Sequence, residues 1–236
     1  MAVLLGSGSA QAALVDRGGG LLYDTVLNIT WLQDANYART SGYCNSSDNC
    51  FYASGRMDWT QANRWANNLV YGGYSDWRLP KISPVNGTQS GWTYRFSTDG
   101  STDLGYNITS TFSELSYMYY VNLDLKGLFN PDGISRSDYG VNGNGTSGGQ
   151  KDIGLVKNMQ NFVYWSGTPS PGGWAWYFTP ADGVQYYGYQ GNVFIAWAVR
   201  DGDVVIPVPG SVALLAGGLA LLGVVTRRRG RLVEGN

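Results

Sequence analysis

The chain has 236 residues, 43% of them hydrophobic, with 34 glycines, 17 tyrosines, nine tryptophans, two cysteines and no histidine. Setting aside the four arginines of the tail and Glu234, its 16 Lys and Arg fall to 12 and its 17 acids to 16, a net charge of −4 over residues 13–203. That balance excludes nucleic acid held by bulk electrostatics, and the absence of histidine excludes Ser-His-Asp and Cys-His catalysis.

Ala2 to Leu5 is apolar, and Ala10-Gln11-Ala12 before Ala13 has the small-x-small form of a signal-peptidase site, so residues 1–12 read as a signal peptide. No Lys or Arg precedes Arg17, which predicts a start codon upstream of Met1. The exported segment, 13–203, is rich in Gly, Tyr, Trp and Asn and poor in charge, as expected of one loop-rich extracytoplasmic domain. Leu21-Leu22-Tyr23 and Asn28-Ile29-Thr30-Trp31-Leu32 read as a hairpin turning at Asp24-Thr25. Cys44 and Cys50 follow in a polar loop. In an oxidising compartment they most simply form a disulfide, and no histidine is present to complete a metal site with them.

Asp58, with Gln61 three residues on, has capping-box spacing. Trp59, Ala62, Ala66, Leu69 and Val70 recur at helical spacing up to Gly72-Gly73. Asp76-Trp77-Arg78-Leu79-Pro80 is an extended segment, followed by a Gly/Ser/Thr-rich loop to about Thr111. Ser113 to Val121 reads as a second helix, with Leu115, Met118 and Tyr119 on one side and Glu114 facing out. Asn130 to Gln150 is a long surface loop. The last third reads as an antiparallel meander: Phe162–Ser166, Trp174–Thr179, Val184–Tyr189 and Val193–Arg200, separated by Gly/Pro/Asn turns. The expected fold class is therefore α+β, with two helices and an antiparallel sheet in which N- and C-terminal strands meet.

Residues 204–236 form a tripartite tail. Pro207-Val208-Pro209 is stiff punctuation. An uncharged run over 210–226 predicts a transmembrane helix, and Arg227, Arg228 and Arg229 predict a cytoplasmic end, with the domain outside the inner membrane.

Leu14 to Gly20, Asn28 to Ala35, Asp76 to Pro80, Tyr164 to Thr168 and Ala196 to Arg200 together resemble the Lcl C-terminal domain, named for the C-terminal part of a collagen-like adhesin. The resemblance implies a C-type-lectin-like fold whose long loops carry the ligand. The tail resembles the PEP-CTERM sorting signal, with Val208 where that signal has a central Glu. This implies an exosortase-type sorting enzyme as a partner, processing near Pro209, and transfer to the cell surface or extracellular matrix.

Sugars offer apolar C–H faces to flat aromatic rings and hydroxyls to Asn, Asp and Gln. Alternate strand residues face opposite sides, so only half of the meander's rings can share a surface; Trp176, Phe178 and Trp197 read as core. Trp174, Tyr187 and Tyr189, with Asn192, read as the exposed candidate ligand-binding set. Arg78 and Arg200 could hold an anionic sugar, but pairing with Asp76 or Asp201 explains them as well. Calcium is conceivable at Asp99 to Asp103 or at Asp132-Gly133, although no ligand spacing matches a known loop; no other cofactor and no catalytic residue is expected. The functional expectation is a non-enzymatic module contacting polysaccharide or matrix in adhesion or biofilm formation. Two alternatives stand beside it: a structural matrix protein without a discrete ligand, and a hydrolase pairing Asp99 or Asp103 with Glu114.

Overall fold

The computed structural model describes residues 14–204, apart from Gln89. The expected signal peptide, the sorting residues Pro207, Val208, Pro209, Arg227, Arg228 and Arg229, and the helix expected over 210–226 lie outside the described residues. Short β-rich runs bounded by glycine turns begin the chain: β1 (Leu14–Gly18), β2 (Leu21–Asp24) and β3 (Ile29–Leu32). Then come α1 (Tyr37–Thr40), a 3-10 turn at Tyr43–Asn45, β4 (Arg56–Met57), α2 (Trp59–Asn67), β5 (Phe96–Ser97) and β6 (Leu104–Gly105). α3 (Glu114–Tyr117) widens into a π turn at Met118–Asn122, and β7 (Gln150–Ile153) and β8 (Val156–Gln160) form a two-stranded ribbon. β9 (Tyr164–Ser170), β10 (Trp174–Thr179), β11 (Val184–Tyr189), β12 (Phe194–Ile195) and β13 (Val199–Asp201) complete the domain.

This overturns the α+β, C-type-lectin-like expectation. The described residues carry 13 strands in three sheets. The longest helix, α2, has nine residues, and no helix among the described residues is long and apolar enough to cross a membrane. α2 has the capping box that its sequence implies: Gln61 N–H donates to Asp58 Oδ1 and Asp58 N–H to Gln61 Oε1. It stops at Asn67, before Leu69 and Val70 can extend the stripe, and Val70 is exposed. Trp65 is buried on its inner face. The second expected helix has only four α-helical residues, because Leu123 N–H reaches back five residues to Met118 C=O. The strands β4, β5 and β6 are two residues each, too short to show any alternation of apolar and polar residues.

The four-stranded sheet runs β1-β2-β3-β13, and the seven-stranded sheet runs β4-β12-β9-β10-β11-β6-β5. The Val193–Arg200 run, expected as one strand of a single antiparallel sheet, instead serves both. Ile195 pairs in parallel with Tyr164 and antiparallel with Arg56, whereas Val199 pairs with Trp31 of the other sheet. The crossing residues Ala196, Trp197 and Ala198 are fully buried. Trp197 stacks obliquely on Trp31 at 4.5 Å, and its Nε1–H donates to Leu32 C=O at 2.7 Å. A buried indole whose N–H is satisfied contributes its whole apolar surface, worth about 2–3 kcal/mol or more for a ring of this size.

Beside this crossing, Arg78 exchanges both backbone hydrogen bonds with Val199. Its guanidinium grips both carboxylate oxygens of Glu114 at 2.8 Å and also reaches Asp201. Arg200 holds Asp76 by two bonds of 2.9 Å and stacks over Tyr74. The two arginines are thus paired with acids, with Arg200 taking Asp76 and Arg78 taking Asp201. Glu114 does not face out as expected: it is 8% exposed and also accepts from Lys81 N–H at 2.6 Å. The guanidinium fork matches the two oxygens of a carboxylate drawn inward this way and replaces the water it gives up. Cys44 and Cys50 are bonded to each other, with their Cα atoms 5.1 Å apart, and both are buried.

Two outcomes follow for stability. Replacing Asp58 by Ala removes one half of the capping box and is expected to cost about 1 kcal/mol in denaturant unfolding. The hydrogen bonds from Arg200 and Arg78 hold the carboxyls of Asp76 and Asp201 below the usual carboxylate range. Groups depressed in the folded state stabilise it at pH values above their unfolded pKa of about 3.9, and this stabilisation is lost as pH falls through the lower, folded values. The denaturation midpoint is therefore expected to hold from pH 7 to 5 and to fall below about pH 4, with a shallower fall in Arg200→Met.

Candidate functional site

The β9-β10-β11 meander carries the aromatic residues that sequence reasoning singled out. Trp174 pairs with Tyr189 and Trp176 with Tyr187 across the β10-β11 hairpin, so the period-2 alternation of strands puts these side chains on one face. The segment 81–106 lies over part of that face. Thr168 Oγ1 accepts from Ile82 N–H at 3.0 Å and donates to Ile82 C=O at 2.8 Å. The buried carboxylate of Asp103 accepts from Val85 N–H at 2.7 Å and Thr93 N–H at 2.6 Å. Gln185 of β11 donates to Asp103 C=O at 2.8 Å and in turn accepts from Ser116 Oγ at 2.9 Å. Gly105 is needed where β6 enters this network: its φ is +123°, and a Cβ there would run into the Ser97 carbonyl oxygen.

So anchored, the 92–94 stretch brings two further rings. Trp92 stacks on the fully buried Trp176 at 4.4 Å and 18°. Tyr94 lies nearly parallel to Trp176 at 6.0 Å and edge-on to Tyr187 at 5.7 Å. Ile82, Leu104 and Trp176 form a small separate core, with Trp92 and Tyr187 packed against it. Trp174 meets Tyr187 edge-on at 5.8 Å, and Tyr186 lies parallel to Tyr187 at 5.1 Å. Between them opens a cleft of about 670 Å³ lined by Tyr94, Ser170, Pro171, Trp174, Tyr186 and Tyr187. Its walls are aromatic and uncharged, with phenol and serine hydroxyls as the polar groups. That composition suits a ligand with apolar faces and hydroxyl edges.

Of the candidate residues, Trp174 (41% exposed) and Tyr187 (half-buried) line the cleft. Tyr189 (60% exposed) and Asn192 do not. The Tyr189 ring lies against Gly191, leaving no room for a Cβ there, and Asn192 N–H closes the turn onto Tyr189 C=O at 2.9 Å. Trp176, Phe178 and Trp197 are fully buried. Trp176 Nε1–H has no acceptor among the described residues. Tyr186, on the same meander, stood outside the candidate set, and the sequence reading missed Tyr94 and Trp92. Their signal was present, since Trp92-Thr93-Tyr94-Arg95-Phe96 sets aromatics at every second position within an otherwise polar loop.

Three of the carboxylates considered for catalysis or calcium have other partners. Glu114 is bound to Arg78, Asp103 to the two backbone amides, and Asp99 accepts from the amide and hydroxyl of Ser101. Among the described residues no three His, Cys, Asp or Glu side chains are grouped as a metal ion would need.

Compared with known proteins, the chain matches the family model of the Lcl C-terminal domain over residues 20–200. No curated protein and no solved structure matches it. With the match running from the first hairpin to the last strand, the chain belongs to the Lcl C-terminal domain family.

Proposed function

We propose that this protein is an exported, non-enzymatic binding module that takes sugar rings of a polysaccharide or matrix component into the aromatic cleft, in adhesion or biofilm formation. The observation that carries this reading is the convergence of Tyr94, Trp174, Tyr186 and Tyr187 from separate strands and a loop around one open space of about 670 Å³. That volume falls within the range of about 300–1,000 Å³ usual for ligand clefts. Rigid rings lose little rotamer entropy on binding and present flat faces to sugar C–H groups, while the phenol and Ser170 hydroxyls can exchange hydrogen bonds with sugar hydroxyls. Stacking of this kind requires no metal. A matrix protein without a ligand would be better served by a groove-free face, and this face has a groove.

Trp174→Ala is expected to weaken retention in polysaccharide-containing native gels about tenfold, in keeping with the roughly 1–1.5 kcal/mol of one aromatic contact. Tyr189→Ala, outside the cleft, is expected to leave retention unchanged. If no glycan is retained, or if Trp174→Ala and Tyr187→Ala migrate like the parent, the cleft is not the binding site.

The tail belongs to the same proposal. Pro207-Val208-Pro209 and Arg227-Arg228-Arg229 address the domain to the cell surface or matrix through an exosortase-type enzyme. Mass spectrometry of protein recovered from its native cells should then find chains without Arg227–Arg229. Chains that keep them would remove the sorting step.

A further inference from the structure

At the β4-β12 side of the large sheet, away from the aromatic cleft, a small pocket of about 60 Å³ is lined by Ser54, Arg56, Gly149, Phe162 and Ile195, among others. Arg56 is half-buried, and its guanidinium lies 3.9 Å over the Phe162 ring and 5.9 Å from Tyr52. Stacking of this kind occupies the faces of the guanidinium and leaves its N–H edge free. Among the described residues no carboxylate pairs with Arg56 and no acceptor takes a hydrogen bond from its side chain. Arg17, Arg78 and Arg200 each pair with an acid by contrast. A half-buried cation without a counter-charge is costly to keep.

Two further donors border the pocket. The Ser54 hydroxyl and the Gly149 N–H likewise make no hydrogen bond to any described residue, although the carbonyls of both residues are used, by Asn36 Nδ2 and Asn161 N–H. The Gln160 amide N–H₂ is already spent on Gln150 and Asn158. Three hydrogen-bond donors, one of them a permanent cation, therefore border a space the size of a single small group, and no acid lines it. The complement of that arrangement is an oxyanion, which a guanidinium fork and a backbone amide grip through parallel N–H···O bonds.

We propose that this pocket binds one small oxyanion, a free phosphate or sulfate or the carboxylate of a larger molecule, and that the bound anion joins the Gly148-Gly149 turn to β4. The site is independent of the aromatic cleft, and Trp174→Ala should not affect it.

Thermal melts of the whole protein test this with sulfate, phosphate, acetate and galacturonate, each at millimolar concentration and with ionic strength held constant by chloride. Sulfate and phosphate stabilise folded proteins in general, in proportion to concentration, so the informative quantity is a rise that follows the logarithm of one plus the ratio of anion concentration to Kd, steep at low concentration and flattening above it. The parent protein is expected to gain roughly 2–4 °C at about five times the Kd. Arg56→Gln should lose this gain, whereas Arg64→Gln, which removes the same charge from an exposed position on α2, should keep it. Ser54→Ala, which breaks no protein hydrogen bond, should need several-fold more anion for the same rise, and it serves as the test if Arg56→Gln does not fold. A rise with sulfate or phosphate alone identifies a free tetrahedral anion, and one with acetate or galacturonate identifies a carboxylate. Equal shifts in parent and variants, or shifts that are only linear in concentration with all four anions, overturn the proposal.

Discussion

The aromatic face depends on one buried carboxylate. Asp103 is almost fully enclosed, and a charge in that position is tolerated only where hydrogen bonds replace its water. Its two oxygens accept the amides of Val85 and Thr93, eight residues apart in sequence, while Gln185 binds its carbonyl from β11. The carboxylate therefore makes 81–106 one folded unit, and that unit is fastened to the sheet by Thr168 on Ile82, by Gln185 on the Asp103 carbonyl and by the β6-β11 pairing. This constraint, and not the intrinsic preference of a Gly/Ser/Thr-rich loop, keeps Trp92 and Tyr94 stacked over Trp176 and gives the cleft its second wall.

A second constraint joins the two larger sheets. One short run, Phe194 to Asp201, must finish the seven-stranded sheet and then supply the last strand of the four-stranded one. At the change of sheet, Leu32 N–H reaches Ala198 C=O, and the Trp197 indole N–H donates to Leu32 C=O. The ion pairs of Arg78 and Arg200 lie directly beside it. They tie the Asp76–Pro80 segment and α3 to the same strand, so the family-like segments are neighbours in space as well as landmarks in sequence.

The seven-stranded sheet thus presents two unlike chemistries. Its β9-β11 side offers uncharged rings and hydroxyls, while the β4-β12 side offers a stacked guanidinium and unshared donors. Both settings use aromatic rings, as a wall in one case and as a support for a cation in the other. A chain with 14% aromatic and only 14% charged residues has the means for both.

Much of this could be read in the residues alone. The first hairpin, the Asp58–Gln61 cap, the cysteine pair and the C-terminal meander each rest on local chemistry: turn residues, a capping oxygen, two nearby thiols, alternating rings. The Lcl-like segments were recognisable for the same reason. What could not be read depends on partners distant in the chain. β4, β5 and β6 are two residues long and exist only because another strand pairs with them. The inward turn of Glu114 follows from Arg78, 36 residues away. Trp174 and Tyr187 were legible as candidates because the aromatic strands and turns that carry them are local patterns. That Tyr94 joins them was decided by the hydrogen bonds that fold 81–106 onto itself and fasten it to the sheet. Local sequence determined the elements with strong periodicity or caps. The tertiary structure decided the all-but-helix-free architecture and the membership of the site, because both are set by pairings across more of the chain than any sequence pattern spans.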